Sequence, residues 1–122
     1  MSTPGEVKDL LITYMGEYKN EVFTCVFLDN RHQVISMEEL FQGTIDGAAV
    51  YPRVVVQRAL ELNSAAIIIA HNHPSGIAEP SSADEQITTR IKDALSLLDI
   101  RLLDHFIIGG GNCISFAERG YL

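Results

Sequence analysis

Apolar positions along this chain alternate between a helical and an extended period, and the changes of period mark its elements. Val7, Leu10, Leu11, Tyr14 and Tyr18 keep helical spacing. Thr3-Pro4-Gly5-Glu6 ahead of them has the form of a helix start: a capping hydroxyl, proline at the first helical position and glutamate three residues past the cap. Residues 21–29, EVFTCVFLD, are rich in β-branched and aromatic side chains and run into the turn sequence Asp29-Asn30-Arg31. They predict an antiparallel hairpin whose second strand covers about residues 33–41. Beyond Gly43 and Gly47, Pro52 opens a helix with Val55, Val56, Ala59 and Leu62 on one face, stopping near Asn63.

Residues 65–70, AAIIIA, form an unbroken apolar run, as expected of a central strand covered on both faces. This run leads directly into His71-Asn72-His73-Pro74-Ser75-Gly76. Ile87, Ile91, Ala94, Leu95 and Leu98 then repeat at helical spacing between Ser81 and Asp99, and a strand follows over residues 101–108. Gly109-Gly110-Gly111-Asn112 makes a turn before a last short strand at residues 113–116. The order predicts one α/β domain over residues 1–122, a mixed sheet flanked by helices. In such sheets, sites gather beyond the carboxyl ends of strands, which is where the two histidines fall.

Length and composition agree with a single core: 122 residues, 47% hydrophobic, without repeats or low-complexity tracts. Nine Lys and Arg against sixteen Asp and Glu give a net charge of −7, which argues against direct nucleic-acid binding, since phosphate attraction is carried by Lys and Arg. Cys25 and Cys113 sit in apolar runs without a CxxC pair, the pattern of buried free thiols in a reducing compartment. No apolar run approaches the roughly 18 residues of a membrane span, and the first residues lack a basic region followed by an apolar one. A cytoplasmic protein without a membrane partner is therefore expected. The apolar stripes suit a monomer and a homo-oligomer equally.

His71 and His73 stand two apart, so on an extended segment both imidazoles project to the same side. Zinc favours imidazole nitrogen and accepts carboxylate oxygen, and a catalytic zinc site uses three protein ligands and keeps a position for water. Ser81-Ser82-Ala83-Asp84 has the form of a helix start with Ser81 as cap. That start holds Asp84 firmly enough to complete a His71, His73, Asp84 set around one ion. The plain alternative is a turn shaped by Pro74, Gly76 and Pro80, with histidines bonded locally. The letters HNH do not make the nuclease of that name, whose motif is spread over a longer ββα unit. A zinc deaminase would need HxE and a downstream PCxxC pair, and neither is present.

His71-x-His73, seven residues, Ser81, two residues and Asp84 resemble the JAMM signature of JAB1/MPN/Mov34 metalloenzymes. HNHPSG, with FLDN, FQGTID, YPR, RALELN, LLDHFIIG and SFAERG, resembles the bacterial RadC branch from about residue 21 to the last residue. The resemblance implies a JAB1/MPN-like, cytidine-deaminase-like fold. It implies one zinc ion on His71, His73 and Asp84, Glu21 as general base, Ser81 as a stabiliser of the oxyanion, and hydrolysis of a peptide or isopeptide bond in a protein or peptide substrate. A carboxylate near such an ion is chemically required to take a proton from the attacking water and return it to the leaving amine. Without the resemblance Glu21 reads as an acidic strand edge, and Glu79 is the nearest rival in sequence.

RadC proteins commonly carry an N-terminal helix-hairpin-helix segment associated with DNA, whereas one short helix precedes Glu21 here. This chain reads as the catalytic-type domain alone or an excised piece. The competing function is a DNA-repair or recombination accessory protein without peptidase activity. His105, beside Asp104, reads as a core histidine or a partner of the ligands, and His32 as a turn residue. Asp46, Tyr51, Pro52 and Arg53 have a spacing that assigns them no chemistry.

Overall fold

The computed structural model describes residues 4–43 and 50–122. In chain order the elements are α1 (Pro4–Met15), β1 (Val22–Leu28), β2 (Val34–Gln42), α2 (Pro52–Glu61), β3 (Ala66–Asn72), α3 (Ser82–Ser96), β4 (Arg101–Gly109) and β5 (Asn112–Ser115). The strands form one sheet in the order β2-β1-β3-β4-β5, so the apolar run AAIIIA occupies its centre. β1 is antiparallel to both β2 and β3, β3 and β4 are parallel, and β5 returns antiparallel to β4. This is the mixed sheet expected, with α3 as the crossover between two parallel strands.

Alternation along the strands sends neighbouring residues into two different cores. Phe23, Cys25, Phe27, Ile67 and Ile69 pack with Val55, Ala59, Ile87, Ile91 and Leu95 of α2 and α3. Val26, Leu28, Ile68, Ala70, Phe106 and Ile108 pack on the other face with Val7, Leu11 and Met15 of α1. A strand covered twice has no polar face, which explains why β3 is apolar throughout until its last residues. Those last residues, His71 and Asn72, belong to the strand itself: His71 pairs with Phe23 on one side and Ile107 on the other.

Two helices are shorter than their apolar spacing predicts. α1 stops at Met15, and Tyr18 continues the stripe from outside the helix, packing against the same core. Its hydroxyl donates to Glu39 of β2 at 2.5 Å. α3 stops at Ser96, since Asp99 takes a left-handed φ of +59° and Leu97 is 85% exposed. Periodicity records which residues face a core and is blind to whether the backbone between them is still helical. The expected cap Thr3, together with Asp46 and Gly47, lies outside the described residues. Among the described residues, no helix is long and apolar enough to cross a membrane.

Ile91 has no exposed surface and joins α3 to the sheet. Replacing it by alanine leaves a cavity at the layer contact that carries Asp84's helix. Ile91→Ala is expected to lower stability by about 2–5 kcal/mol with the secondary structure retained, measured by urea unfolding alongside far-UV circular dichroism.

Candidate metal centre

The end of β3 and the start of α3 meet above the sheet's carboxyl edge. β3 supplies His71, the next residue supplies His73, and the first turn of α3 supplies Asp84. The His71 and His73 rings meet nearly perpendicular, with centroids 5.1 Å apart. Each of the three residues offers a ligand atom, and these atoms all lie within 4.8 Å of one another. Asp84 is locked by a capping box: the Ser81 hydroxyl oxygen accepts the Asp84 N–H at 3.1 Å, and Asp84 Oδ2 accepts the Ser81 N–H at 2.8 Å.

Proton placement shows what this group suits. His73 Nδ1 lies 2.9 Å from the Ile77 carbonyl oxygen, an acceptor only, so Nδ1 carries the proton and donates it there. In a neutral ring that leaves a lone pair on Nε2, which faces Asp84 Oδ2 at 3.1 Å. Two acceptors face each other, and a positive charge between or on them is needed. His71 lies between two carboxylates: Nδ1 is 3.3 Å from Asp84 Oδ1 and Nε2 is 3.7 Å from Glu21 Oε2, and a neutral ring has one proton to offer them. Neither contact has hydrogen-bond geometry, so both His71 nitrogens, Asp84 Oδ1 and Glu21 Oε2 are buried without a hydrogen-bond partner. Converging nitrogen and oxygen atoms, with the Ile77 carbonyl fixing one imidazole, could hold a divalent metal ion.

The charges respond to this crowding. Burial opposes ionisation of Asp84, yet the His71 and His73 imidazoles and the Ser81 N–H hold its carboxyl well below the usual range. The hydrogen bond to Asp84 raises the His73 pKa against the opposing effect of burial.

Glu21 immediately precedes β1 and reaches the same cleft from across the β1–β3 pair. The cleft has a volume of about 220 Å³ and is lined by Glu21, His71, His73, Pro74, Ser75, Ser81 and Asp84. All five residues singled out in the sequence therefore border one space. Glu79 does not line it: its carboxylate is paired with Arg119 at 2.7 Å. Tyr51 and Arg53 stack on each other, guanidinium to ring centroid 4.9 Å, away from the cleft lining. His32 sits in the β1–β2 turn with a left-handed φ of +62°.

Three supporting residues were not legible in advance. The Thr88 hydroxyl donates to the Asp84 carbonyl at 2.6 Å and faces His105 Nδ1 at 2.5 Å. With its one proton committed, Thr88 must accept from His105. His105 is thus a core histidine that braces the aspartate's helix from β4. Gly109, at the end of β4, backs the loop after His73: a Cβ there would lie 2.8 Å from the Ala78 nitrogen and 2.9 Å from the Ile77 carbonyl carbon. Asn72, between the two histidines, bonds to the chain on either side of Glu21. Only the GGG run hinted at one of these contacts, as a turn.

A family model of the RadC-like JAB domain matches residues 1–121. Proteins named "UPF0758 protein" from Nitrosococcus oceani and Marinobacter nauticus are each 59% identical to this chain over 122 residues. One from Halorhodospira halophila is 57% identical over the same length. Each match covers 100% of this chain and 54% of the relative, so the chain spans about half the length of the curated relatives it matches.

Full burial pulls the His105 imidazole down to about 3. An unfolded histidine titrates near 6.5, so between these values the unfolded chain binds a proton that the folded one refuses, and stability falls as pH falls. The slope from His105 is about 1.4 kcal/mol per pH unit through that window. Asp84, held low, adds its own loss only below its unfolded pKa of about 4. His73, held above its unfolded value, contributes the opposite slope only above about pH 6.5, so denaturant unfolding of the metal-free protein between about pH 4.5 and 6 is expected to show the His105 slope in wild type, reduced in His105→Gln.

Proposed function

The chain belongs to the RadC-like JAB domain family, and from that membership together with the geometry of its site we propose that it is a zinc-dependent hydrolase of peptide or isopeptide bonds. The observation that carries the reading is the convergence of two imidazoles and a buried carboxylate that do not satisfy one another. One ligand atom from each of His71, His73 and Asp84 lies within 4.8 Å of the others, a neutral His73 turns the lone pair of Nε2 to Asp84 Oδ2, and both His71 nitrogens and Asp84 Oδ1 have no hydrogen-bond partner. His71, His73 and Asp84 would hold the metal. When bound, zinc lowers the pKa of a coordinated water to about 7 and polarises a carbonyl.

The rest of the chemistry falls to this chain's own groups. Glu21 presents Oε2, buried and unpartnered, on the cleft side of His71, while its side chain keeps 24% exposure to the opening. A carboxylate in that position takes a proton from attacking water and returns it to the leaving nitrogen. Ser81 accepts the Asp84 N–H through its oxygen, which leaves its own proton free to point into the cleft it lines. That proton stabilises negative charge developing on the carbonyl oxygen of the substrate. Hydroxyl and carboxylate thus border the same space. The proposed partner is a protein or peptide, in keeping with a net charge of −7 that disfavours nucleic acid.

Glu21→Gln is expected to retain stoichiometric zinc and to lower turnover by at least about 100-fold, the scale of general-base catalysis. His71→Ala and Asp84→Asn are expected to lose the metal. Zinc content by mass spectrometry, with cleavage of a peptide and isopeptide library by each zinc-loaded protein, checks both. Equal turnover in wild type and Glu21→Gln would remove Glu21 from the mechanism, and zinc retained by His71→Ala would remove the site.

A further inference from the structure

The middle residue of His71-Asn72-His73 faces away from the histidines, and what it touches is the backbone around Glu21. Pairing between β1 and β3 ends at Phe23 and His71. One residue further, the Asn72 side chain takes over from the backbone ladder. Its Oδ1 accepts the Val22 N–H at 2.6 Å, and its amide nitrogen donates to the Asn20 carbonyl at 2.9 Å. Those two groups bracket Glu21, and Asn72 itself is only 2% exposed.

This clamp falls where the base has least other support. Glu21 lies outside the regular part of β1, and its carbonyl accepts the Gly43 N–H at 3.0 Å from the β2 side. On the β3 side, the bonds of the Asn72 carboxamide hold its two neighbours. A carboxamide is suited to this because it offers a donor and an acceptor together, whereas a carboxylate offers acceptors alone and a methyl neither. The metal ligands have further bonds of their own, besides the pairing of His71 with Phe23 of β1. His71 pairs with Ile107 of β4, and the His73 N–H donates to the Ile108 carbonyl at 2.8 Å. The chain therefore fixes its base and its ligands through different bonds that meet at one residue.

We propose that Asn72 is the positioning residue for Glu21: by bonding the peptide groups on both sides, it sets where the Glu21 carboxylate stands relative to His71. The inference rests on Glu21 being the base, as proposed above. It predicts that losing the carboxamide displaces Glu21 while leaving the ligand set able to bind zinc.

The test is nuclear magnetic resonance of protein carrying glutamate labelled with carbon-13 at the side-chain carboxyl, recorded at one neutral pH with and without zinc. The Glu21 signal is assigned by its absence in Glu21→Gln. In wild type, zinc is expected to move this signal. In Asn72→Ala the displacement is expected to shrink by at least about threefold, while zinc affinity, measured by chelator competition, stays within about threefold of wild type. Asn72→Asp retains the shape and the acceptor for Val22 but lacks the donor for Asn20, so it is expected to fall between the two. It also keeps the test decisive if the alanine variant does not fold. Displacements equal to wild type in a folded variant overturn the proposal and leave Glu21's role standing. Zinc affinity falling in parallel with the displacement also overturns it, since Asn72 would then support the whole strand end. A wild-type signal that zinc leaves in place, despite binding, refutes the reading of Glu21 itself.

Discussion

Asp84 is 1% exposed, and its carboxylate is shared among the Ser81 N–H and two imidazoles on a different element. Withdrawing a carboxylate from water costs several kcal/mol unless the surroundings return it in charge or hydrogen bonds. Here the Ser81 N–H returns one bond and the two imidazoles stand against the carboxylate without satisfying Oδ1, so the position of α3 relative to β3 is tied to what lies between these groups as well as to packing. The capping box aims the carboxylate, the Thr88 hydroxyl ties its peptide carbonyl, and His105 supports Thr88 from β4. If α3 were rotated or shifted along the sheet, a charge would be left buried without compensation. The apolar layer beneath, from Ile87 to Leu95, supplies the cohesion, and Asp84 selects one placement among those that cohesion would allow.

Sequence and structure agree most where the signal is local. The run AAIIIA announces a strand covered twice, and Ser81-Ser82-Ala83-Asp84 announces a capped helix, because both depend on residues within a few positions of each other. His71, His73 and Asp84 are readable for the same reason: a strand end, a loop and a helix start deliver them in a short stretch of chain. Glu21 is different. It reaches the site only because β1 runs antiparallel to β3, a pairing across some fifty residues that no local pattern encodes, and it was found through resemblance to a family. The role of Asn72 has no local signature, since alternation along a strand says where a side chain points but not what waits there. The ends of α1 and α3 were overrun because Tyr18 and the residues after Ser96 continue an apolar spacing beyond the last helical turn.

The free thiols mark a contrast with this polar end of the sheet. Cys25 is fully buried in the α2–α3 layer and Cys113 partly buried beside α1, and burial pushes the Cys25 thiol up and the Cys113 thiol up to about 11. Both are therefore held protonated and chemically quiet near neutrality. Among the described residues, the buried atoms without a hydrogen-bond partner gather mainly at Glu21, His71 and Asp84, with Thr24 and His105 contributing one each. The cleft at that end of the sheet leaves the apolar clusters on both faces of the sheet continuous.

Gly109 shows how far the site extends beyond its ligands. The missing side chain at that turn admits the backbone of Ile77 and Ala78, and the Ile77 carbonyl is the group that orients the His73 ring. Grafting the strand, loop and helix of residues 66–96 into another protein would transfer every candidate ligand. It would not transfer the wall that turns one imidazole to the correct edge. The smallest portable unit is the ligand segment together with the turn between β4 and β5, two pieces of chain whose fit depends on an absent methyl group.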